Sequence, residues 1–181
     1  MKKNIITITI ISFVAFSCGN QHPKNTQAND KEDPPTAPTK PEPAKVGDTM
    51  HCTYFDVILH KGQITDEIST NNSYLDKKAD NDNWFFIIDA SYKNTDQESR
   101  MITDGTLWIN YNGKMYQFDK TETILADGWD GTLEQLNPLV TKRYKTAYII
   151  PKEIKGEAYW QPGRATMEQA FYVGDIDHDG K

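Results

Sequence analysis

The sequence has few of the residues from which catalytic and metal sites are usually built. Its 181 residues include two cysteines and four histidines, and the histidines are spread along the chain at positions 22, 51, 60 and 178. They form no His-x-x-x-His or Cys-x-x-Cys pair, and the chain contains no Gly-x-Ser-x-Gly or phosphate-binding loop. We therefore predict a protein that is not an enzyme, although scattered residues can also assemble a catalytic site.

An excess of basic residues is also missing. The chain has 20 Lys and Arg against 26 Asp and Glu, a net charge of −6. Residues 1–17 contain Lys2 and Lys3 and no acidic residue, so the chain without them carries 18 basic and 26 acidic residues, a net charge of −8. Nucleic acid and anionic lipid both select basic surfaces. The composition argues against either as a partner.

Only one long apolar stretch is present, and it lies at the N-terminus. Residues 5–16 are apolar except for Thr7, Thr9 and Ser12, and Lys2 and Lys3 precede them. A helix needs about 20 apolar residues to span a bilayer, so this stretch is too short. A basic start followed by a short apolar region is typical of a secretory signal peptide.

The signal-like segment ends in Ala15-Phe16-Ser17-Cys18-Gly19, which resembles the lipobox of bacterial lipoproteins. The resemblance implies that residues 1–17 are a lipoprotein signal peptide and that Cys18 becomes the lipidated first residue. We therefore expect a body outside the cytoplasm, held in the cell envelope by a lipid in a bacterial membrane. The alternative is an ordinary secretory signal that is cut at another bond and leaves a free protein.

Cys52 is then left without an intramolecular partner, because Cys18 carries the lipid. We predict that it is a small buried apolar residue in a strand. The alternative is a reactive or metal-binding thiol that works with His51. Neighbouring strand residues point to opposite faces, which argues against that pairing.

Residues 18–45 are predicted to be a disordered tether. Residues 19–45 hold six of the nine prolines and contain no aromatic residue and no aliphatic residue larger than alanine. Such a segment cannot bury enough apolar surface to order itself. Proline favours an extended conformation of about 3.1 Å per residue, which gives a reach of up to ~80 Å. An alternative is that the charged segment 29–33 is a sorting signal.

From Val46 to Gly174 the pattern changes to short apolar and aromatic segments separated by turn residues. Residues 84–92 alternate, with Trp84 and every second residue on one face and with Phe85, Ile87 and then polar residues on the other. Asn112-Gly113 suits a type I′ hairpin turn. Further strands are predicted at residues 49–59, 101–111, 114–118, 143–150, 157–161 and 169–173, with a polar loop at 60–83. The pattern predicts an all-β sandwich of about seven to nine short antiparallel strands.

Several segments of this body occur in an order that resembles a known family. They are Val46-Gly47-Asp48-Thr49, the run from Phe85 to Thr95, Gly113-Lys114-Met115-Tyr116, Leu136-Asn137-Pro138 and Tyr148-Ile149-Ile150-Pro151. The body is similar to an immunoglobulin-like domain family of unknown function in bacterial lipoproteins, with a fold akin to a secreted mycobacterial immunoprotective antigen. The resemblance implies an immunoglobulin-like sandwich in the envelope, with no established chemistry. Tyr144 and the polar insert at 60–83 depart from the family pattern.

Two features outside this framework are candidate sites. The first is Trp129, in the glycine-rich segment 127–131 between Asp127 and Asp130. An exposed ring on a loop can stack on a sugar or hold a cation. The alternative is that Trp129 folds back onto the sandwich and anchors its loop.

The second feature is the acidic tail, residues 175–181. Asp175, Asp177 and Asp179, followed by Gly180, resemble the first half of a calcium loop. The chain ends before the acidic residue expected at the twelfth loop position, so any calcium binding would be weak. The alternative is a solvated acidic terminus. No other cofactor is predicted.

These observations lead to one functional hypothesis and one alternative. The hypothesis is a membrane-tethered lipoprotein whose β-sandwich is a non-catalytic binding or accessory module for a protein or glycan partner. The alternative is an extracytoplasmic hydrolase that acts on envelope or scavenged polymer. Exposed aromatic residues on one sheet face would favour binding, whereas a cleft with two converging acids would favour hydrolysis.

Overall fold

The computed structural model describes residues 42–129, 134–166 and 168–177. This part of the chain contains 13 β-strands, a short 3-10 helix at Ser73–Leu75 and no α-helix. The expected signal peptide, Cys18, the tether up to residue 41 and Asp179 lie outside it. The strands are β1 Thr49–His51, β2 Phe55–Thr65, β3 Glu67–Ile68, β4 Lys77–Lys78, β5 Asn83–Asn94, β6 Arg100–Met101, β7 Thr106–Tyr111, β8 Lys114–Phe118, β9 Thr121–Glu122, β10 Gln135–Leu136, β11 Thr141–Pro151, β12 Gly156–Gln161 and β13 Phe171–Ile176.

The strands form two main sheets. The first has five strands in the order β1-β2-β5-β11-β9, and the second has four in the order β13-β12-β7-β8. Two short ribbons, β10-β6 and β3-β4, complete the set, and the strand pairings are antiparallel. Eight of the strands have three or more residues, which agrees with the predicted seven to nine. The all-β sandwich prediction is confirmed.

The main core lies between the two sheets and is rich in aromatic residues. Trp160 on β12 is fully buried, stacks on Phe171 with ring centroids 5.9 Å apart and meets Tyr92 edge-on at 6.5 Å. Its indole Nε1 donates a hydrogen bond of 3.1 Å to the Tyr148 hydroxyl, so both buried polar groups are satisfied. Inward residues of β2, β5 and β11 supply the opposite wall of this core.

Strand β5 has the two faces that its alternation predicts. Phe86, Ile88, Ala90 and Tyr92 are buried in the main core. Phe85 and Ile87 point to the other side of the sheet, where they form a second apolar cluster with Ile68, Ile124 and Ala147. Strand β3, which carries Ile68, and the segment after β9, which carries Ile124, therefore cover part of the outer face of the five-stranded sheet.

The polar segment 60–83 is not a continuous loop, so that prediction is wrong. Strand β2 continues to Thr65, and the segment also holds β3, the 3-10 helix and β4. A β-bulge between Leu59 and Lys61 shifts the side-chain alternation by one residue, which hides the strand from a period-two pattern. Beyond the bulge, a Cβ on Gly62 would lie 2.0 Å from Val173 Cγ1, so glycine permits the close approach of β13.

The predicted hairpin turn is confirmed, and a buried asparagine ends the central strand β5. Asn112 and Gly113 have φ values of 52° and 76°, as the predicted type I′ turn requires. Asn94 keeps a negative φ. It is the last residue of β5, is fully buried and holds the surrounding loops by its side chain.

Both ends of the folded body extend further than the sequence suggested. The Ala44 amide donates to the Ala170 carbonyl at 3.1 Å, and the Ala44 carbonyl accepts from the Tyr172 amide at 2.8 Å. At the other end, β13 includes Asp175 and Ile176. Within the described ranges, no helix is long and apolar enough to cross a membrane.

Candidate binding face

Three aromatic side chains lie in a row across the outer face of the four-stranded sheet. Trp108 on β7 is the register partner of Tyr159 on β12, and Tyr159 is also the partner of Tyr172 on β13. Their neighbours Leu107, Ala158 and Phe171 are buried in the core, so these three point away from it. All three remain partly exposed, and the Tyr159 and Tyr172 ring centroids are 5.6 Å apart.

A bulge on β13 places an acidic residue on the same face as this row. Tyr172 pairs with Tyr159 and Asp175 pairs with Glu157, although residues 172 and 175 would face opposite sides of a regular strand. The register shift between Ala158 and Tyr159 supplies the extra residue. Glu157 and Asp175 are therefore direct cross-strand neighbours beside the aromatic row.

Hydrogen bonds hold these polar and aromatic groups in place. The Tyr159 hydroxyl donates to Glu157 Oε2 at 3.1 Å, and Asn110 Nδ2 makes a longer contact of 3.4 Å with the same oxygen. The Asp175 carboxylate acts on the Tyr172 hydroxyl, whose pKa is raised by partial burial first and by Asp175 second. At the other end of the row, Trp108 Nε1 donates to Gln161 Oε1 at 3.3 Å. We call Trp108, Tyr159 and Tyr172 with Glu157, Asp175, Asn110 and Gln161 the aromatic face.

The electrostatics of the aromatic face show that its groups act on one another. Partial burial raises the pKa of Tyr159, and the hydrogen bond to Glu157 raises it further. Partial burial and then the Asp175 carboxylate raise the pKa of Tyr172 in the same way. Asp175 also raises the pKa of Tyr159, and Glu157 also raises the pKa of Tyr172. Among the described residues, neither Glu157 nor Asp175 forms an ion pair. The face is thus aromatic and negatively charged.

Trp129, the first candidate site residue, lies elsewhere. It packs against the second apolar cluster, and the Lys145 ammonium lies 5.4 Å from its ring centroid. The adjoining backbone is tied to β11, because the Lys145 amide donates to the Gly128 carbonyl at 2.8 Å. These contacts favour the loop-anchor interpretation. Asp130 and Gly131 lie outside the described residues.

The second candidate site, the acidic tail, begins later than the sequence suggested. Asp175 is a strand residue opposite Glu157, and Ile176 is only 3% exposed, so neither belongs to a solvated terminus. The reason is that Ile176 continues the inward alternation of β13. Asp177 follows the strand and Asp179 is not described. The described part of the chain contains no group of three His, Cys, Asp or Glu side chains close enough to hold a metal ion.

The structure separates Cys52 from His51. Partial burial raises the pKa of the Cys52 thiol to about 11, and the Asp56 carboxylate adds to the effect, so the thiol is protonated at neutral pH. His51 Nδ1 instead lies 2.6 Å from Asp56 Oδ1. The prediction of a buried strand residue is wrong, because Cys52 lies just after β1 and is only partly buried. It packs against the main core as a small apolar residue.

A histidine and a serine meet on the outer face of the five-stranded sheet. His60 Nε2 lies 2.7 Å from Ser91 Oγ, and His60 occupies the bulge of β2. The neighbouring carboxylate of Asp89 is engaged by Arg143 through contacts of 2.6 and 2.8 Å. Within the described residues, no carboxylate is hydrogen-bonded to His60. The pair has two of the three groups of a serine hydrolase triad.

A shallow open depression lies between β4 and β11. Its lining residues are Lys77, Lys78, Ala79, Asp80, Asn83, Phe85, Glu122 and Ile149. Of its two acids, Glu122 forms an ion pair with Lys77. The depression therefore lacks two free carboxylates that converge on a substrate.

Comparisons with known proteins establish the fold. The sequence matches no protein-family model and no curated protein. An uncharacterised β-sandwich protein from Clostridium difficile superposes with a TM-score of 0.55 and 15% identity, over 78% of this chain and 99% of that chain. A conserved hypothetical protein from Bacillus anthracis gives a TM-score of 0.49 and 21% identity, over 74% of this chain and 95% of that one. A candidate lipoprotein from Bacillus subtilis gives a TM-score of 0.43 and 13% identity, over 74% of this chain and 39% of that one.

These findings support the β-sandwich part of the family resemblance. The immunoglobulin-like family and the antigen-like fold remain predictions. No function is transferred from the neighbours, because identities of this size show similarity of fold alone.

Sequence reasoning missed the aromatic face. A signal was present, since Thr106, Trp108 and Asn110 alternate with buried Leu107 and Ile109 on β7. Glu157, Tyr159 and Gln161 alternate in the same way on β12. Each strand therefore shows an aromatic residue between polar ones on its outward side. What the sequence does not show is that these strands are neighbours.

Proposed function

We propose that this protein is a membrane-tethered, non-catalytic binding module that binds a glycan through the aromatic face. The observation that carries the proposal is the row of Trp108, Tyr159 and Tyr172 across three adjacent strands. Large aromatic side chains on an outward sheet face, rather than in the core, are typical of a binding surface.

The chemistry of the face suits a sugar. The rings offer apolar surface for the C–H faces of a pyranose, and hydroxyl, amide and carboxylate groups at their edges can bond sugar hydroxyls. A few polar groups fixed around an apolar surface provide orientation and specificity. Because Asn110, Gln161 and the Tyr159 hydroxyl already make hydrogen bonds within the face, the surface is preorganised and loses little side-chain entropy on binding.

Adjacent strands lie about 4.8 Å apart, so the three rings span roughly 10 Å. That span is comparable to two linked sugar rings. A flat platform of this kind suits an extended polymer better than a single small molecule, which favours an enclosed pocket. We infer that the ligand is an oligosaccharide or a polysaccharide.

The test is binding of glycan oligomers to the full chain, measured by isothermal titration calorimetry. Trp108→Ala and Tyr159→Ala should each weaken binding about tenfold or more, because each removes a stacking surface worth about 1–3 kcal/mol. Tyr74→Ala is the matched control, since Tyr74 is 95% exposed on the 3-10 helix away from the face. Equal losses in all three variants, or no loss in the first two, would refute the assignment.

The tether part of the proposal is supported by the leader, the lipobox-like segment and the proline-rich stretch. It predicts that Cys18→Ser abolishes incorporation of labelled palmitate and blocks cleavage of residues 1–17. Labelled palmitate that still enters the Cys18→Ser protein would overturn the assignment of the anchor.

One observation favours the hydrolase alternative, namely the contact between His60 Nε2 and Ser91 Oγ. If Ser91 were an activated nucleophile, a fluorophosphonate probe would label the protein, and Ser91→Ala would abolish the labelling. We expect no labelling, because the hydroxyl lies within a regular strand and not on a nucleophile elbow.

A further inference from the structure

We propose that the aromatic face has a cation subsite and that its ligand is a glycan with free amino groups. The subsite is formed by Glu157, Asp175, Tyr159 and Tyr172. This inference rests on the proposed function and adds to it the chemical class of the sugar.

The geometry of the two carboxylates points to a positive ligand group. Glu157 and Asp175 are register partners on adjacent strands, so their Cβ atoms lie about 5 Å apart. Like charges placed directly opposite each other destabilise a sheet. Within the described ranges, no ion pair neutralises either carboxylate. A cation bound between them would relieve this repulsion.

The tyrosine hydroxyls orient the two acids without using up their capacity. Tyr159 donates to Glu157, and the Asp175 carboxylate acts on the Tyr172 hydroxyl strongly enough to raise its pKa. A carboxylate has two oxygens and accepts about four hydrogen bonds, so each acid keeps free acceptor positions. An ammonium group carries three donors and can therefore bond both acids at once.

The aromatic rings next to the acids favour an organic ammonium over a metal ion. Calcium and magnesium ions take six or more oxygen ligands, whereas this face provides carboxylate oxygens from only two side chains. Tyrosine rings within about 6 Å attract an organic cation through their π-faces. The Tyr159 and Tyr172 ring centroids lie 5.6 Å apart, so both rings are close to the two acids.

The row beyond the acids explains why the cation should belong to a sugar. Trp108 and Gln161 continue the platform on β7 and β12, on the side away from Asp175. A polymer of amino sugars would place one ammonium at the acids and the next ring over Trp108. A lysine-rich peptide would satisfy the acids but would leave the flat aromatic row without a matching rigid ring.

The experiment compares three probes with the full chain by calorimetry. They are a β-1,4-linked glucosamine oligomer, its fully N-acetylated counterpart of equal length, and oligolysine. We expect the glucosamine oligomer to bind at least several-fold more tightly than either of the others. Its affinity should fall as salt is raised, because the contact is between charges near the surface.

Glu157→Gln and Asp175→Asn remove charge and keep shape, including an acceptor for each tyrosine hydroxyl. Each should weaken binding of the glucosamine oligomer by roughly three- to tenfold, given the modest strength of exposed charge pairs. Binding of the acetylated oligomer should not change. Lys114→Gln, on the exposed strand β8, is the control for a general effect of charge.

The outcomes separate the two proposals. If both oligomers bind equally, or if the variants have no effect, the cation subsite is refuted and the glycan face stands. If neither oligomer binds, glycan binding by this face is refuted, and the cation subsite is refuted as well. If oligolysine binds as tightly as the glucosamine oligomer, the partner is a basic peptide and the amino-sugar assignment is overturned.

Discussion

Asn94 offers the sharpest test of how the sandwich is held together. Its side chain is fully buried, and Nδ2 donates to the carbonyls of Glu98 and Leu136, each at 2.8 Å. Its Oδ1 accepts from the Asp96 amide at 2.9 Å. Three separate segments, namely the end of β5, the loop that follows it and β10, therefore meet at one side chain.

The expected cost of Asn94→Ala follows from these three bonds. The Leu136 contact is buried, so its loss leaves an unsatisfied carbonyl at about 1–3 kcal/mol. The contacts to Glu98 and Asp96 are part-buried, and water can replace them at about 0.5–1 kcal/mol each. The total is about 2–5 kcal/mol. For a chain of this length, at about 3 °C per kcal/mol, that corresponds to a fall in Tm of about 6–15 °C.

The assay is urea denaturation of the full chain followed by tryptophan fluorescence, with thermal melting as a second measurement. Asn81→Ala is the matched control, because Asn81 is exposed and accepts a hydrogen bond from Lys152 through its backbone carbonyl, which the substitution keeps. The control should stay within about 0.5 kcal/mol of the parent protein. If Asn94→Ala also stays within that range, the reasoning from buried hydrogen bonds is refuted.

Asn94→Asp separates the hydrogen bonds from simple volume. The introduced carboxyl would face two carbonyl oxygens, so its folded-state pKa should lie above the unfolded value of about 3.9. Stability linked to such a group is present below the unfolded pKa and is lost as the pH rises through the folded pKa. Asn94→Asp should therefore be less stable than Asn94→Ala at neutral pH, and the gap should close near pH 4. A gap that does not change with pH would contradict this explanation.

Three further predictions test other parts of the structure. Deletion of residues 178–181 should leave stability unchanged with or without calcium, whereas Ile176→Ala should cost about 2–4 kcal/mol in the same denaturation assay because Ile176 fills the core. Cys52, with its pKa near 11, should react with iodoacetamide at neutral pH only when the protein is unfolded, and rapid native labelling would contradict the burial argument. Burial raises the pKa of Tyr92, Tyr144 and Tyr148, so their contribution to stability is complete below the unfolded pKa of about 10 and is lost as the pH rises above it. Their tyrosinate absorbance should appear together with unfolding, and full ionisation in a protein that keeps its near-UV dichroism would refute this.

The sequence predicts the fold where one local rule decides the structure. Strand β5 follows strict alternation, and Asn112-Gly113 supplies the two positive φ values that a two-residue hairpin needs. Predictions fail where the alternation is interrupted. The bulge in β2 made residues 60–65 look like a loop, and the buried side chain of Ile176 was hidden in an acidic segment. In each case a tertiary contact, to β5 or to the core, outweighs the local composition.

The aromatic face shows the same limit more strongly, because it depends on pairings between strands that are distant in sequence. Trp108 and Tyr159 come together only because β7 pairs with β12, some 50 residues later, and hydrophobic alternation carries no information about that choice. The β13 bulge adds a second condition, since Tyr172 and Asp175 would otherwise face opposite sides. A bulge in a sheet costs ladder hydrogen bonds, and here it lets a tyrosine and a carboxylate share one outward face. The sandwich core needs Phe171 and Ile176 to point inward, but it places no demand on the identity of the outward residues. Cross-strand aromatic pairs stabilise a sheet to some extent whatever their role. The core therefore leaves this outward row of aromatic residues and acids available for the ligand that we propose.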